Sequence, residues 1–292
     1  MKYRSILKWQ ILVIGALSLL AAGAGLFYET PGQPYSYTNH RGETVMINNH
    51  GLYRYDTVSS AAQMRANDLI ALTVGLPLLM VSAWLALRGS IRGRLILTGT
   101  LGFFLYTYMS MSMLTSFNTL FLVYVILFSV SLLAFILCIL SFDIAALPAH
   151  FSPRLPRAWI AGLMFFISAF LGLAWVARIL TPLVQRTVPA LENTTTMVIQ
   201  AMDLGLIVPL ALLAGILLLR KNAWGYLLSS IALTKGLTLG LGVSAMGINM
   251  ARAGVPDSLG ILIPFLLITF LNLVMTVSLL RNIRPPQAAQ PA

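Results

Sequence analysis

From Leu95 to Ser141 the sequence contains no charged side chain. A helix crosses the hydrocarbon core of a bilayer in about 20 apolar residues. This run is therefore too long for one crossing and predicts two, with Phe117-Asn118-Thr119 as the turn between them. A soluble domain carries charge on roughly a quarter of its residues. This chain of 292 residues carries it on 9%, with 58% hydrophobic residues and a mean hydropathy of +0.86. The fold class read from these observations is all-α and integral to a membrane.

The other spans follow from the same length rule. Residues 9–28 form an apolar run behind Lys2, Arg4 and Lys8. The small residues of AAGAG would also suit signal cleavage, but the length of the run and its counterpart in the second half favour a retained helix. Further spans are expected at 69–87, with Pro77 as a kink, at 158–177, in a sixth helix ending at Arg220, at 224–246 and at 259–280. The total is eight.

The net charge is +11, from 19 Lys and Arg against 8 Asp and Glu. On a soluble protein that excess would suggest nucleic acid. Here the basic residues sit mostly between apolar runs, as the bias toward positive cytoplasmic loops requires. With the N-terminus inside, twelve of the 19 fall on the cytoplasmic side, six fall outside, and Lys235 stands within a span. The expectation is a cytoplasmic-membrane protein with both termini cytoplasmic, whose partner is the lipid bilayer and not nucleic acid. Cys138 is the only cysteine, so no disulfide framework forms within the chain. HExxH, GxSxG and P-loop patterns are absent. No enzyme activity, cofactor or metal is predicted.

Residues 29–66 are the one long polar segment. ETVMI (43–47) and LYRYD (52–56) flank Asn48-Asn49-His50-Gly51, which predicts a small β-hairpin. Residues 59–66 read as a short helix lying at the interface, and Asp68 as a carboxylate at a helix N-terminus. His40, His50, Glu43 and Asp56 match no metal-ligand spacing and read as solvated loop residues. The tail, 282–292, reads as disordered.

The chain also echoes itself. Arg88 follows Pro77 by eleven residues, as Arg220 follows Pro209, and Gly93 and Gly225 each stand five residues beyond the arginine. Asp68 and Asp203 precede the two prolines, and Trp9 and Trp159 open corresponding helices. These matches predict a four-plus-four tandem repeat of parallel orientation, in halves 1–150 and 151–281, with a site between them. GLYRYDT (51–57), RGSIRGRL (88–95), FNTLFLVY (117–124) and DLGLIVPLALLAGILLLR (203–220) resemble an uncharacterised family of prokaryotic multi-pass membrane proteins. The resemblance implies localisation and carries no site residues.

Two charges fall inside the predicted spans, Asp203 and Lys235. An ionisable side chain there is costly and marks either a function or a structural pair. Asp203 lies 17 residues before Arg220, about 25 Å along the helix. Lys235 lies about 18 Å into its own helix, so an ion pair across a helical hairpin is within reach. Ser230, Thr234 and Thr238 form a polar stripe beside Lys235, while Tyr106 and Ser110 belong to an unusually polar third helix. The seven residues together suggest a site for a small molecule or ion; the structural alternative is packing, with hydroxyls bonded to their own helices. Function is expected to be transport or binding of a small ligand between the halves. The alternative is a non-transporting sensor or assembly partner acting through loop 29–66.

Overall fold

The computed structural model describes residues 2–284. Among them are eight helices long and apolar enough to cross a membrane. They are α1 (Arg4–Phe27), α2 (Val58–Leu87), α3 (Ile91–Leu114), α4 (Phe121–Leu140), α5 (Arg157–Gln185), α6 (Val198–Leu219), α7 (Ala223–Arg252) and α8 (Ser258–Arg281). Their outward faces carry large apolar side chains such as Leu12, Leu133, Leu173, Ile263 and Phe270, as the lipid-facing surface of a multi-pass membrane protein requires. Strand β1 (Tyr35–Thr38) pairs antiparallel with β2 (Thr44–Ile47) at one end of the bundle, called here the hairpin end.

Helices α3 and α7 are the most enclosed of the bundle and lie against each other at its centre. A Cβ on Gly99 of α3 would stand 2.4 Å from the Cβ of Thr234 on α7. The glycine therefore lets the backbones close on each other, as small residues do at membrane helix crossings. The buried apolar side chains fall into two clusters. One draws mainly on residues 7–138, and the other on Leu95 and residues 142–283.

Helices α2 and α6 share one irregularity. Each contains a π-helical turn, Ala71–Gly75 in α2 and Asp203–Ile207 in α6, and each π turn begins six residues before a proline, Pro77 or Pro209. Proline removes a backbone donor and crowds the preceding turn, and a wide turn ahead of it accommodates both effects. The two helices also end alike. Gly89 donates to the Ala86 carbonyl and Ser90 to the Leu85 carbonyl, both at 3.0 Å. Lys221 donates to Leu218 at 3.0 Å and Asn222 to Leu217 at 2.9 Å. Gly89 and Lys221 both take the left-handed conformation (φ +91° and +56°) that this terminator needs. Ser90 and Asn222 then cap the next helix through their side chains.

Four expectations are corrected. The hairpin joins 35–38 to 44–47 instead of 43–47 to 52–56. The Asn39 side chain accepts from Arg41 N and Glu43 N, and Gly42 supplies a positive φ, so the tight turn is at 39–42. Residues 52–56 fold back beside β2 with one isolated bridge, Ile47 to Thr57. Residues 59–66 are not a separate interfacial helix. Thr57 caps Ser60 N and starts α2 there, and Ala61, Ala62, Met64 and Ala66 are buried around more than half of its circumference. Asp68 consequently lies about 15 Å along α2 and is 1% exposed, so it caps nothing. Finally, part of the tail is packed. Ser152 N donates to the Asn282 carbonyl and Arg284 N to the His150 carbonyl, both at 2.7 Å, and Ile283 is 1% exposed. Residues 285–292 lie outside the described residues.

Candidate functional site

Beyond the Gly99–Thr234 crossing, toward the hairpin end, the helices enclose a cavity of about 220 Å³. Its wall comes from α2, α3, α5, α6, α7 and α8, and thus from both halves of the chain. Most of it is apolar, including Phe103, Leu171, Leu239, Met246 and Phe265. Gly242 leaves space on α7, where the nearest atom to an added Cβ is the Asn67 Oδ1 at 3.7 Å. The polar wall consists of Asp203, Lys235, Tyr106, Thr107, Trp175, Thr238, Ser110, Gln63 and Asn67.

Asp203 and Lys235 border the same cavity without touching. Among the described residues the one ion pair within 4.0 Å is Arg65 with Glu29. Tyr106 stands between the two charges. Its hydroxyl donates to Asp203 Oδ1 at 2.6 Å, and its ring carries Lys235 Nζ at 3.8 Å from the centroid. Trp175 Nε1 donates to Asp203 Oδ2 at 2.8 Å. Each carboxylate oxygen thus has a neutral donor, and the ammonium lies on an aromatic face, where the ring quadrupole attracts it. The expected direct ion pair is replaced by a relay through Tyr106.

The other expected site residues divide. Thr238 and Ser110 line the cavity, yet both hydroxyls also bond to their own helices, at Lys235 O (2.9 Å) and Thr107 O (2.8 Å). Ser230 and Thr234 do not border it. Ser230 donates to Tyr226 O at 2.7 Å, and Thr234 donates to Ser230 O while packing on Gly99. Spacing of four gives one face, but the face turns from cavity to helix crossing between Thr238 and Thr234.

Sequence reasoning missed Trp175 and Asn67. A tryptophan in mid-helix seeks an acceptor for its indole N–H, and Asp203 is an intramembrane acceptor in the same half. That pairing was a readable signal; for Asn67 there was none.

A second space, about 340 Å³, lies toward the hairpin end and shares Gln63, Met64, Leu114, Trp175 and Ile199 with the first. It is bounded by Arg178 and residues 190–200. Residues 191–194 are tied to the hairpin segment from several directions. Glu43 accepts from Leu191 N and Glu192 N (3.3 and 3.2 Å), and Arg41 donates to the carbonyls of Glu192 and Thr194 (2.9 and 3.0 Å). Asn39 reaches Glu192 O at 2.7 Å, and Thr57 donates to the Glu192 carboxylate. Beneath them Asp56 accepts from Ser116 N and Ser60 Oγ. Burial pushes its carboxyl up to about 6 against these hydrogen bonds, and Glu192 adds to the rise. His50 bonds the Asn48 backbone and His40 bonds Arg41.

Comparison with protein-family models, curated proteins and solved structures returns no match, so the reading of the site rests on its own chemistry.

Proposed function

We propose that the chain binds a small ligand in the Asp203–Tyr106–Lys235 cavity, as a step in carrying it across the membrane. The observation that supports this most is an apolar cavity about 220 Å³ in size, with two opposite intramembrane charges on its wall that do not neutralise each other directly. Buried ions kept only for packing are expected to pair; these two are separated by a ring and turned to one space.

The hairpin end is assigned to the outside and both termini to the cytoplasm, on the distribution of Lys and Arg. The vestibule at 190–200 is then the outward approach. The two halves are proposed to be parallel repeats. The paired π turns, prolines and helix terminators of α2 and α6 support that reading. So does the register of Gly93 and Gly225. An added Cβ would meet Leu85 and Ala86 at the first, and Leu217 and Leu218 at the second. A transport site between repeats fits that architecture.

A second reading has one observation of its own. Tyr35, Tyr37, Met46 and Tyr55 are about half exposed on the hairpin segment, as a surface for a protein partner would be.

The test is a single cysteine on the cavity wall, Val243→Cys, in a Cys138→Ser background. A membrane-impermeant thiol reagent applied to the hairpin side should modify it. Filling the cavity with Leu239→Trp should slow modification. A cysteine inert from both sides would contradict the ligand-site reading.

A further inference from the structure

The two charges differ in what they still lack. Asp203 already receives one hydrogen bond on each oxygen, from Tyr106 and Trp175. Lys235 has three N–H donors, and among the described residues none meets an acceptor; its ammonium lies over the face of the Tyr106 ring. The hydroxyls beside it, Thr238 and Ser110, donate to helix carbonyls, and neither oxygen accepts from the ammonium among the described residues. Asn67 also lines the cavity, and its side-chain amide makes no hydrogen bond among the described residues. Of the two charged groups on the wall, the ammonium is therefore the one with no hydrogen-bond partner among the described residues. The remaining wall is apolar and aromatic.

Resting on the ligand-site reading above, we infer that the cavity takes a small organic anion, a carboxylate on a compact apolar body. The carboxylate accepts from Lys235 Nζ and the apolar body lies against Leu171, Leu239 and Phe265. A carboxylate is the complement of an ammonium in a site that excludes water, since hydrogen bonds between charged groups are the strong ones. A cationic ligand would meet Lys235 as a like charge and would find both Asp203 oxygens already engaged. A neutral ligand would leave the ammonium without an anion. The size of the cavity, below the usual range for drug-sized ligands, limits the body to about one ring or a short chain.

The experiment uses the full chain in detergent micelles with Val243→Cys and Cys138→Ser, and three probes of one shape: benzoate, benzamide and benzamidine. The rate of thiol modification is followed at rising concentration of each. Benzoate should protect the cysteine, with an affinity about tenfold or more above that of benzamide, and benzamidine should give no protection. Lys235→Met should abolish the advantage of benzoate over benzamide, while Lys235→Arg keeps it. Equal or better protection by benzamide or benzamidine would overturn the anion assignment and leave the ligand site standing. Modification at the same rate with all three would also overturn it. A cysteine that is never modified would instead remove the site on which the inference rests. The wild-type Lys235 arm decides the matter by itself if the Met variant does not fold.

Discussion

The chain places two carboxyls inside its bundle at closely related positions, Asp203 at the start of the π turn of α6 and Asp68 one turn ahead of the π turn of α2. Both are buried, and each accepts a 2.6 Å hydrogen bond from a tyrosine, Tyr106 or Tyr53. Their surroundings differ. Asp68 is packed in. Gly25 of α1 approaches so closely that a Cβ there would stand 1.8 Å from Asp68 Oδ2 and 2.8 Å from the Tyr53 hydroxyl. Tyr108 and Tyr124 stack beside it, and no cation meets it within 4.0 Å among the described residues. Tyr53 lies in the loop before α2, and burial, followed by the nearby Asp68, holds its phenol well above the ordinary value, which keeps it a donor. Asp203, by contrast, opens on a cavity that also holds Lys235. A buried carboxyl with a tyrosine donor is thus packed in at Asp68 and left beside a cavity at Asp203. The same buried residue type takes its role from whether its neighbours leave room.

The largest contrast is expected from glycine substitution. Gly25→Ala drives a methyl into a fixed carboxyl and tyrosine, and should cost about 3 kcal/mol as overpacking. Gly242→Ala points its methyl into the cavity, where nothing lies nearer than 3.7 Å, and should change stability by less than about 1 kcal/mol. Thermal unfolding in detergent reads both. Similar losses at the two positions would mean the cavity is not open.

The tyrosines should separate less widely. Tyr53→Phe leaves Asp68 Oδ2 without its donor in closed packing, at about 2 kcal/mol. Tyr106→Phe exposes Asp203 Oδ1 to a space that water can enter, and should cost about 1 kcal/mol or less. A reversed order would place the sealed site in the second half.

The effect confined to one pH interval belongs to the segment over the vestibule. Asp56 titrates at about 6 in the fold against 3.8 when unperturbed. Its folded value is raised, so the contribution it makes is fully present below about pH 4 and is lost as pH rises through about 6. Asp56→Asn keeps the acceptor for Ser116 N and Ser60 Oγ and removes the titration. The variant should gain stability over wild type across that interval, by at most about 3 kcal/mol. Hydrogen exchange at 190–197 should show the wild-type segment loosening over the same range. Identical pH profiles for the two proteins would contradict this.

The sequence made the membrane class and the number of spans readable, because a charge-free run from Leu95 to Ser141 admits few alternatives. It also pointed to Asp203, Lys235 and Tyr106, since polar atoms in lipid require a reason. What it concealed was register. Placing the start of α2 near residue 69 put Asp68 at the bundle edge. Helix initiation at Thr57 moved it inside, and nothing in a polar stretch such as SSAAQMRA shows that more than half of its circumference is buried. The hairpin was misjudged because Asn48-Asn49-His50-Gly51 and Asn39-His40-Arg41-Gly42 are equally good turn sequences, and the loop at 191–194 decides between them through Asn39 and Arg41. The aromatic relay between Asp203 and Lys235 depends on rotamers of Tyr106 and Trp175, which spacing does not encode.

The most direct test of the account is a double-mutant cycle on Lys235 and Asp203, read by unfolding in mixed micelles. Because Tyr106 keeps the two charges apart and Trp175 and Tyr106 satisfy the carboxylate, Lys235→Met alone should cost no more than about 1 kcal/mol. Asp203→Leu should cost more, since it strands two donors. Lys235→Met with Asp203→Leu should then show little coupling. A Lys235→Met protein as damaged as Asp203→Leu, and largely repaired by the second change, would mean that the two residues are a structural ion pair and that the cavity is not what they are there to serve.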